Sequence, residues 1–125
     1  MKITKRRAGL PLITIAAAIM IVTAASISRA GDAAGGRSNY ATYCVKCHGE
    51  TGKGDGPGAA TLQTKPRDFT DCARMQKLSD DQMFKVIKEG GKANGLSGDM
   101  QAWHVAFEDN EIHDLVAYLR TFCKK

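Results

Sequence analysis

Cys44-Val45-Lys46-Cys47-His48 is the stretch on which the reading of this 125-residue chain turns. Two thiols three positions apart share one side of a helical turn. Each can add across one of the two vinyl groups at the edge of a haem, and the next residue then aims its imidazole at the iron from one face. Cys-x-x-Cys-His is the attachment pattern for c-type haem. A bare Cys-x-x-Cys has two other uses. A thioredoxin-like redox pair wants a βαβ context, which the sequence does not offer. A structural zinc site wants a second Cys or His pair at matching spacing, and Cys72 and Cys123 stand alone, far apart. The reading is one covalently bound haem c held by Cys44 and Cys47, with His48 as an iron ligand.

Upstream of the motif, residues 1–30 read as an export signal, consistent with haem attachment outside the cytoplasm. Lys2, Lys5, Arg6 and Arg7 form a basic start, an apolar run follows from Ala8 to Ile27, and Ser28-Arg29-Ala30 supplies small residues at a cleavage site before Gly31. The competing reading is an uncleaved anchor, since the run approaches the roughly 20 residues a spanning helix needs. Pro11, the many Ala and Thr residues and the small-x-small ending favour cleavage. The expectation is a periplasmic domain over 31–125, with no membrane association once the signal is removed.

Cleavage also changes the charge. Residues 1–30 carry five of the 18 Lys and Arg and none of the 13 Asp and Glu. The remainder balances, so the pI of 9.1 belongs to the signal and is no argument for nucleic-acid binding. About 95 residues make one small domain. Its large side chains are sparse, so a macrocycle would form much of the core, and the haem-free chain is expected to fold poorly.

Residues 31–37 are small and Gly-rich and read as loose, with a short helix starting near Ser38 and entering the haem motif. Residues 49–58 hold five glycines and Pro57, a turning loop. Residues 59–77 read as loop with one short turn near Ala59–Gln63. A middle helix is marked by the capping box Ser79-Asp80-Asp81-Gln82, with Leu78 and Met83 as its hydrophobic staple and Gly90-Gly91 as its stop. Phe84, Ile87 and Met83 make its inner face. The last helix has the clearest period: Ile112, Leu115, Val116, Leu119 and Phe122. Acids precede it and Lys124 and Lys125 follow it, in the sense that suits the helix dipole.

The second axial ligand has five candidates: Met75, Met83, Met100, His104 and His113. Met83 shares a helix face with core residues. His113 lies within the last helix among acids and reads as solvent-facing, and Met75 sits in the linker before the middle helix. Met100 lies in a loop of Gly, Ser and Asp, free to reach across a haem. A His104 ligand would give a lower potential than a thioether.

The stretches Tyr43-Cys44-Val45-Lys46-Cys47-His48-Gly49, Gly52-Lys53-Gly54-Asp55-Gly56-Pro57, Leu96-Ser97-Gly98-Asp99-Met100 with Trp103, and Leu115-Val116-Ala117-Tyr118-Leu119-Arg120 together resemble the class I monohaem cytochromes c of bacteria, over residues 38–122. The resemblance implies an all-α fold in which N- and C-terminal helices cross at the haem edge, with a middle helix and long loops. It implies His48 and Met100 as the axial pair, and the Pro57 carbonyl as acceptor for the other His48 ring nitrogen. Trp103 would pack on the haem edge, bond a propionate, or serve as ordinary core. One departure stands out. The family commonly reads Met-Pro-Ala-Trp, and Gln101 replaces that proline, leaving the backbone after Met100 less restricted.

Cys72 and Cys123 are left over. In an oxidising compartment two spare thiols suggest a disulfide, the alternative being two free thiols. With both axial positions filled, the expected function is a one-electron carrier, not an enzyme, a monomer serving a donor and an acceptor protein. Lys46, Lys53, Lys65, Arg67 and Lys92 could guide such partners, although scattered solvated side chains explain most of them. Alternatives are a gas sensor or haem enzyme with a labile sixth ligand, and an electron-transfer subunit of a larger oxidoreductase. The cytochrome c-prime bundle is disfavoured because its haem motif lies near the C-terminus.

Overall fold

The computed structural model describes residues 31–124; the segment 1–30, and with it the signal or anchor reading, lies outside the described residues. Helix α5 (Asp109–Thr121) organises the rest, with Ile112, Leu115, Val116 and Leu119 buried along one face. These are four of the five periodic positions; Phe122, the fifth, is half-buried against the same core. Glu111 folds back to accept from the Glu108 backbone N–H at 2.9 Å, which satisfies one otherwise unpaired donor at the helix start.

Helix α1 (Ala33–Asn39) packs on α5. The loose segment expected at 31–37 is therefore mostly helix, starting five residues earlier than Ser38. Low helix propensity at Gly35 and Gly36 is overridden by two tertiary facts. Asp32 caps the helix, its carboxylate accepting from the Ala34 N–H at 2.9 Å, while its own N–H donates to the Asp114 carboxylate at 2.6 Å. Gly36 lies so close to α5 that a Cβ there would overlap the Asp114 carbonyl oxygen. The glycines that argue against a helix in isolation are what let two backbones touch.

A single π-helical turn, Tyr40–Cys44, joins α1 to α2 (Val45–His48). Tyr40 is 2% exposed. It packs on Tyr118 and Phe122 of the C-terminal segment at ring separations of 5.2 and 5.4 Å.

Helices α3 (Cys72–Met75) and α4 (Asp80–Glu89) follow a long loop that holds one 3-10 turn at Ala59–Thr61. The turn falls where the sequence places it; α3 does not register in the sequence because it is one turn long. The α4 capping box is complete: Ser79 Oγ accepts from the Gln82 N–H at 3.1 Å and Gln82 Oε1 from the Ser79 N–H at 2.8 Å. Gly90 ends the helix at φ 83°. Among the described residues there is no strand, and no helix is long and apolar enough to cross a membrane.

Candidate haem site

The π turn and α2 present Cys44, Cys47 and His48 on consecutive turns of one helical segment. The end of that segment is closed by glycines. Gly54 N–H donates to the His48 carbonyl at 2.8 Å, Gly56 to Cys47 at 3.2 Å and Gly58 to Lys46 at 2.8 Å. The last carbonyls of α2, which have no partner within the helix, are thus satisfied by the Gly-rich loop. Only glycine allows this approach at position 56, where a Cβ would overlap the Val45 and Lys46 carbonyl oxygens. Tyr40 adds a fourth tie, its hydroxyl donating to the Gly49 carbonyl at 2.7 Å.

His48 is fixed by residues that the sequence reading left in an undifferentiated loop. Its Nδ1 lies 3.1 Å from the Arg67 carbonyl oxygen. A carbonyl only accepts, so Nδ1 carries the proton and Nε2 keeps the lone pair, the tautomer an iron ligand needs. The acceptor role expected of Pro57 therefore falls to Arg67. Pro57 is exposed at the outer turn of the loop, whereas Phe69 N–H, bonded to the Gly52 carbonyl at 2.7 Å, draws the 66–69 segment against the motif. The Phe69 ring then stacks on the His48 imidazole, 4.5 Å between centroids and 18° from parallel. A lone aromatic inside a polar loop is the signal that could have pointed to this segment.

Electrostatics agree with the geometry. Burial holds the His48 imidazole below its ordinary pKa, only partly offset by the Arg67 carbonyl, so the ring stays neutral near pH 7. Burial, with a smaller contribution from Cys47, pushes the Cys44 thiol up to about 12 in the unattached chain. Cys44 and Cys47 are not bonded to each other. Two free thiols one turn apart and a neutral imidazole with Nε2 available are a donor set suited to covalent haem, with two thioether links and one axial nitrogen.

The other expected residues are distributed as follows. Met75 is 2% exposed and Met83 6% exposed, both in the core. His104 is exposed and its Nδ1 donates to the Lys88 carbonyl at 2.9 Å. His113 is exposed and stacks on Phe84 at 4.4 Å. Met100 packs half-buried against the core. Its carbonyl accepts from Gly91 N–H at 2.8 Å, and Trp103 N–H donates to the Ile87 carbonyl at 3.0 Å. The chain is thus tied on both sides of Gln101 without a proline. Trp103 stacks on Phe107 at 5.5 Å and meets Tyr43 edge-on at 5.7 Å, one small aromatic cluster beside the motif. Cys72 and Cys123 form a disulfide, their Cα atoms 5.4 Å apart.

An all-α chain that closes its N- and C-terminal helices beside a Cys-x-x-Cys-His turn is a class I c-type cytochrome, a haem-based electron-transfer protein. The chain belongs to the family described as cytochrome c oxidase, cbb3-type, subunit III, whose model matches residues 31–119. No curated protein matches it. Among solved structures it is similar to the c-type cytochrome KustC0563, at 28% identity and a TM-score of 0.58 over 71% of this chain and 98% of that one. It is also similar to a chain of the Kuenenia stuttgartiensis reducing HAO-like protein complex Kustc0457/Kustc0458, at 26% identity and a TM-score of 0.58 over 71% of this chain. It spans 41% of that second chain.

Proposed function

We propose that this chain is a periplasmic one-electron carrier in which His48, through Nε2, and Met100, through its sulfur, close both axial positions of one haem c. The observation that carries the reading is the bond from His48 Nδ1 to Arg67, which fixes the ring in its ligating tautomer. Met100 supports it as the candidate thioether in a tied loop, since Met75 and Met83 are consumed by core packing. With no open coordination position, outer-sphere transfer remains and turnover at iron does not. A thioether ligand raises the potential relative to a second imidazole. On this reading residues 1–30 are removed on export, and the balanced charge of the rest suits a monomer that meets its donor and acceptor transiently.

The ferric protein is expected to show the weak far-red thioether-to-iron band, and the ferrous protein to resist carbon monoxide. Met100→Ala should lose the band and gain carbon monoxide binding. Rapid carbon monoxide binding by the wild type would instead favour a sensor or a haem enzyme.

A second reading has its own support. The matching family is named for a subunit of an oxidase, and one structural neighbour belongs to a multi-protein complex. An electron-transfer subunit would co-purify with a larger oxidoreductase from its native membrane or periplasm; a carrier would elute alone.

A further inference from the structure

We propose that the Cys72–Cys123 disulfide is a positioning device for His48, acting through the strap of residues 66–72. The strap crosses the haem motif and is held at both ends. At its midpoint Phe69 N–H bonds the Gly52 carbonyl at 2.7 Å. Pro66 lies directly over Gly54, where a Cβ would overlap the Pro66 carbonyl oxygen. In between, the Asp68 carboxylate accepts from the Thr70 backbone N–H at 2.8 Å and from its hydroxyl at 2.6 Å, tightening the turn into α3. At the far end the disulfide fixes Cys72 to the segment just past α5, and the Cys123 sulfur lies 3.2 Å from the Phe69 carbonyl oxygen.

Both contacts that orient His48 come from this strap: the Arg67 carbonyl on Nδ1 and the Phe69 ring on the imidazole face. Phe69 is 8% exposed and is itself stacked on Phe122, the neighbour of Cys123, at 6.1 Å. A cross-link 24 residues along the chain from His48 therefore bears on the ring through one intervening layer. A ligating imidazole whose N–H is firmly bonded is a stronger donor to ferric iron. Loosening the strap weakens that bond and makes oxidation less favourable.

The inference rests on His48 as the axial ligand and is tested on the haem-loaded protein. In a Cys72→Ser/Cys123→Ser variant the midpoint potential should rise. The His48 Nδ1 proton, followed by NMR in the ferrous state, should exchange with solvent about tenfold faster or more, the signature of local opening. Ser79→Ala, which removes the α4 cap bond to the Gln82 N–H and so lowers stability while leaving the disulfide and the strap contacts intact, should leave both readings at their wild-type values. If the double variant does not accumulate, the same readings are taken on folded wild type before and after reduction of the disulfide by a water-soluble phosphine. A loss of stability with potential and proton exchange unchanged would overturn the proposal, leaving the disulfide a purely structural staple. Wild-type His48 ring protons without haem-induced shifts would overturn the ligand assignment and this proposal together, an outcome visible before any variant is made.

Discussion

Arg120 and Asp80, 40 residues apart in the chain, are joined at 2.8 Å between Nε and Oδ1. The same guanidinium donates to the Met75 and Leu78 carbonyls at 2.7 and 2.5 Å. One side chain of α5 therefore bonds the last carbonyl of α3 and the carbonyl just ahead of the α4 cap, and ties the α3–α4 corner to the C-terminal helix. The carbonyls matter more than the carboxylate, because Asp80 is 67% exposed and its ion pair is screened by water.

Arg120→Ala is accordingly expected to cost about 2–3 kcal/mol, from two charge-assisted bonds and the packing of the side-chain stem. Asp80→Asn should cost less than about 1 kcal/mol. Arg120→Lys should fall between them, since an ammonium cannot fork to three acceptors in this geometry. Urea unfolding of the three variants gives the order directly; equal losses for Arg120→Ala and Asp80→Asn would show that the ion pair, not the carbonyl clamp, carries the stability.

The contact between α1 and α5 predicts unequal outcomes at adjacent glycines. Gly35→Ala would place its Cβ 3.2 Å from Asp114 Oδ2, a side-chain atom that can give by a few tenths of an ångström while Oδ1 keeps its bond to the Asp32 N–H. With the gain of about 0.5–1 kcal/mol that Ala brings over Gly within a helix, this variant should be neutral or stabilised. Gly36→Ala gains the same propensity and meets the Asp114 backbone carbonyl, which cannot move without separating the helices. A loss of about 2 kcal/mol or more is expected there, in the range of overpacked cores. Thermal unfolding of the pair is the measurement, and Gly36→Ala must lose clearly more stability than Gly35→Ala if close approach is the reason for Gly36.

These glycines mark where the sequence was readable and where it was not. α4 and α5 are legible because capping box, staple and 3.6-residue period all agree locally. The haem motif is legible because five consecutive residues carry its chemistry. α1 is not, because its stability comes from a surface 78 residues away, at Asp114, which no local propensity reports. The partner of His48 is hidden for the same reason: Gly56-Pro57 resembles the family loop, whereas the carbonyl that reaches Nδ1 is Arg67, delivered by the Phe69–Gly52 bond.

Haem removal should expose how much of the core the protein alone supplies. Cys44, Val45, Met100 and Trp103 pack only in part against the buried cluster. A domain of this size buries a modest share of its surface, so a haem held at Cys44 and Cys47 would supply a large fraction of the apolar contact. A Cys44→Ala/Cys47→Ala variant, made without haem, should give a poorly dispersed proton NMR spectrum and a broad, weakly cooperative thermal transition. A well-dispersed spectrum would show that α1, α4 and α5 suffice.

Tyr40 gives the protein an alkaline limit. Burial, with smaller contributions from Tyr118 and Asp55 and, before haem is attached, from Cys44, holds its phenol well above the ordinary tyrosine value. Up to about pH 10 the phenol is protonated in both folded and unfolded chains, and the stability it contributes is complete. Above that, the unfolded chain ionises first, and stability falls by about 1.4 kcal/mol per pH unit until the raised folded value is reached. Tyr40→Phe lacks this dependence, and it also lacks the hydroxyl bond to the Gly49 carbonyl, worth about 1 kcal/mol. The wild type should thus be the more stable of the two at pH 8, and the gap should close and reverse by about pH 11. Urea midpoints for the pair at the two pH values decide the matter: a gap independent of pH would mean that the Tyr40 phenol ionises as readily in the folded protein as in water.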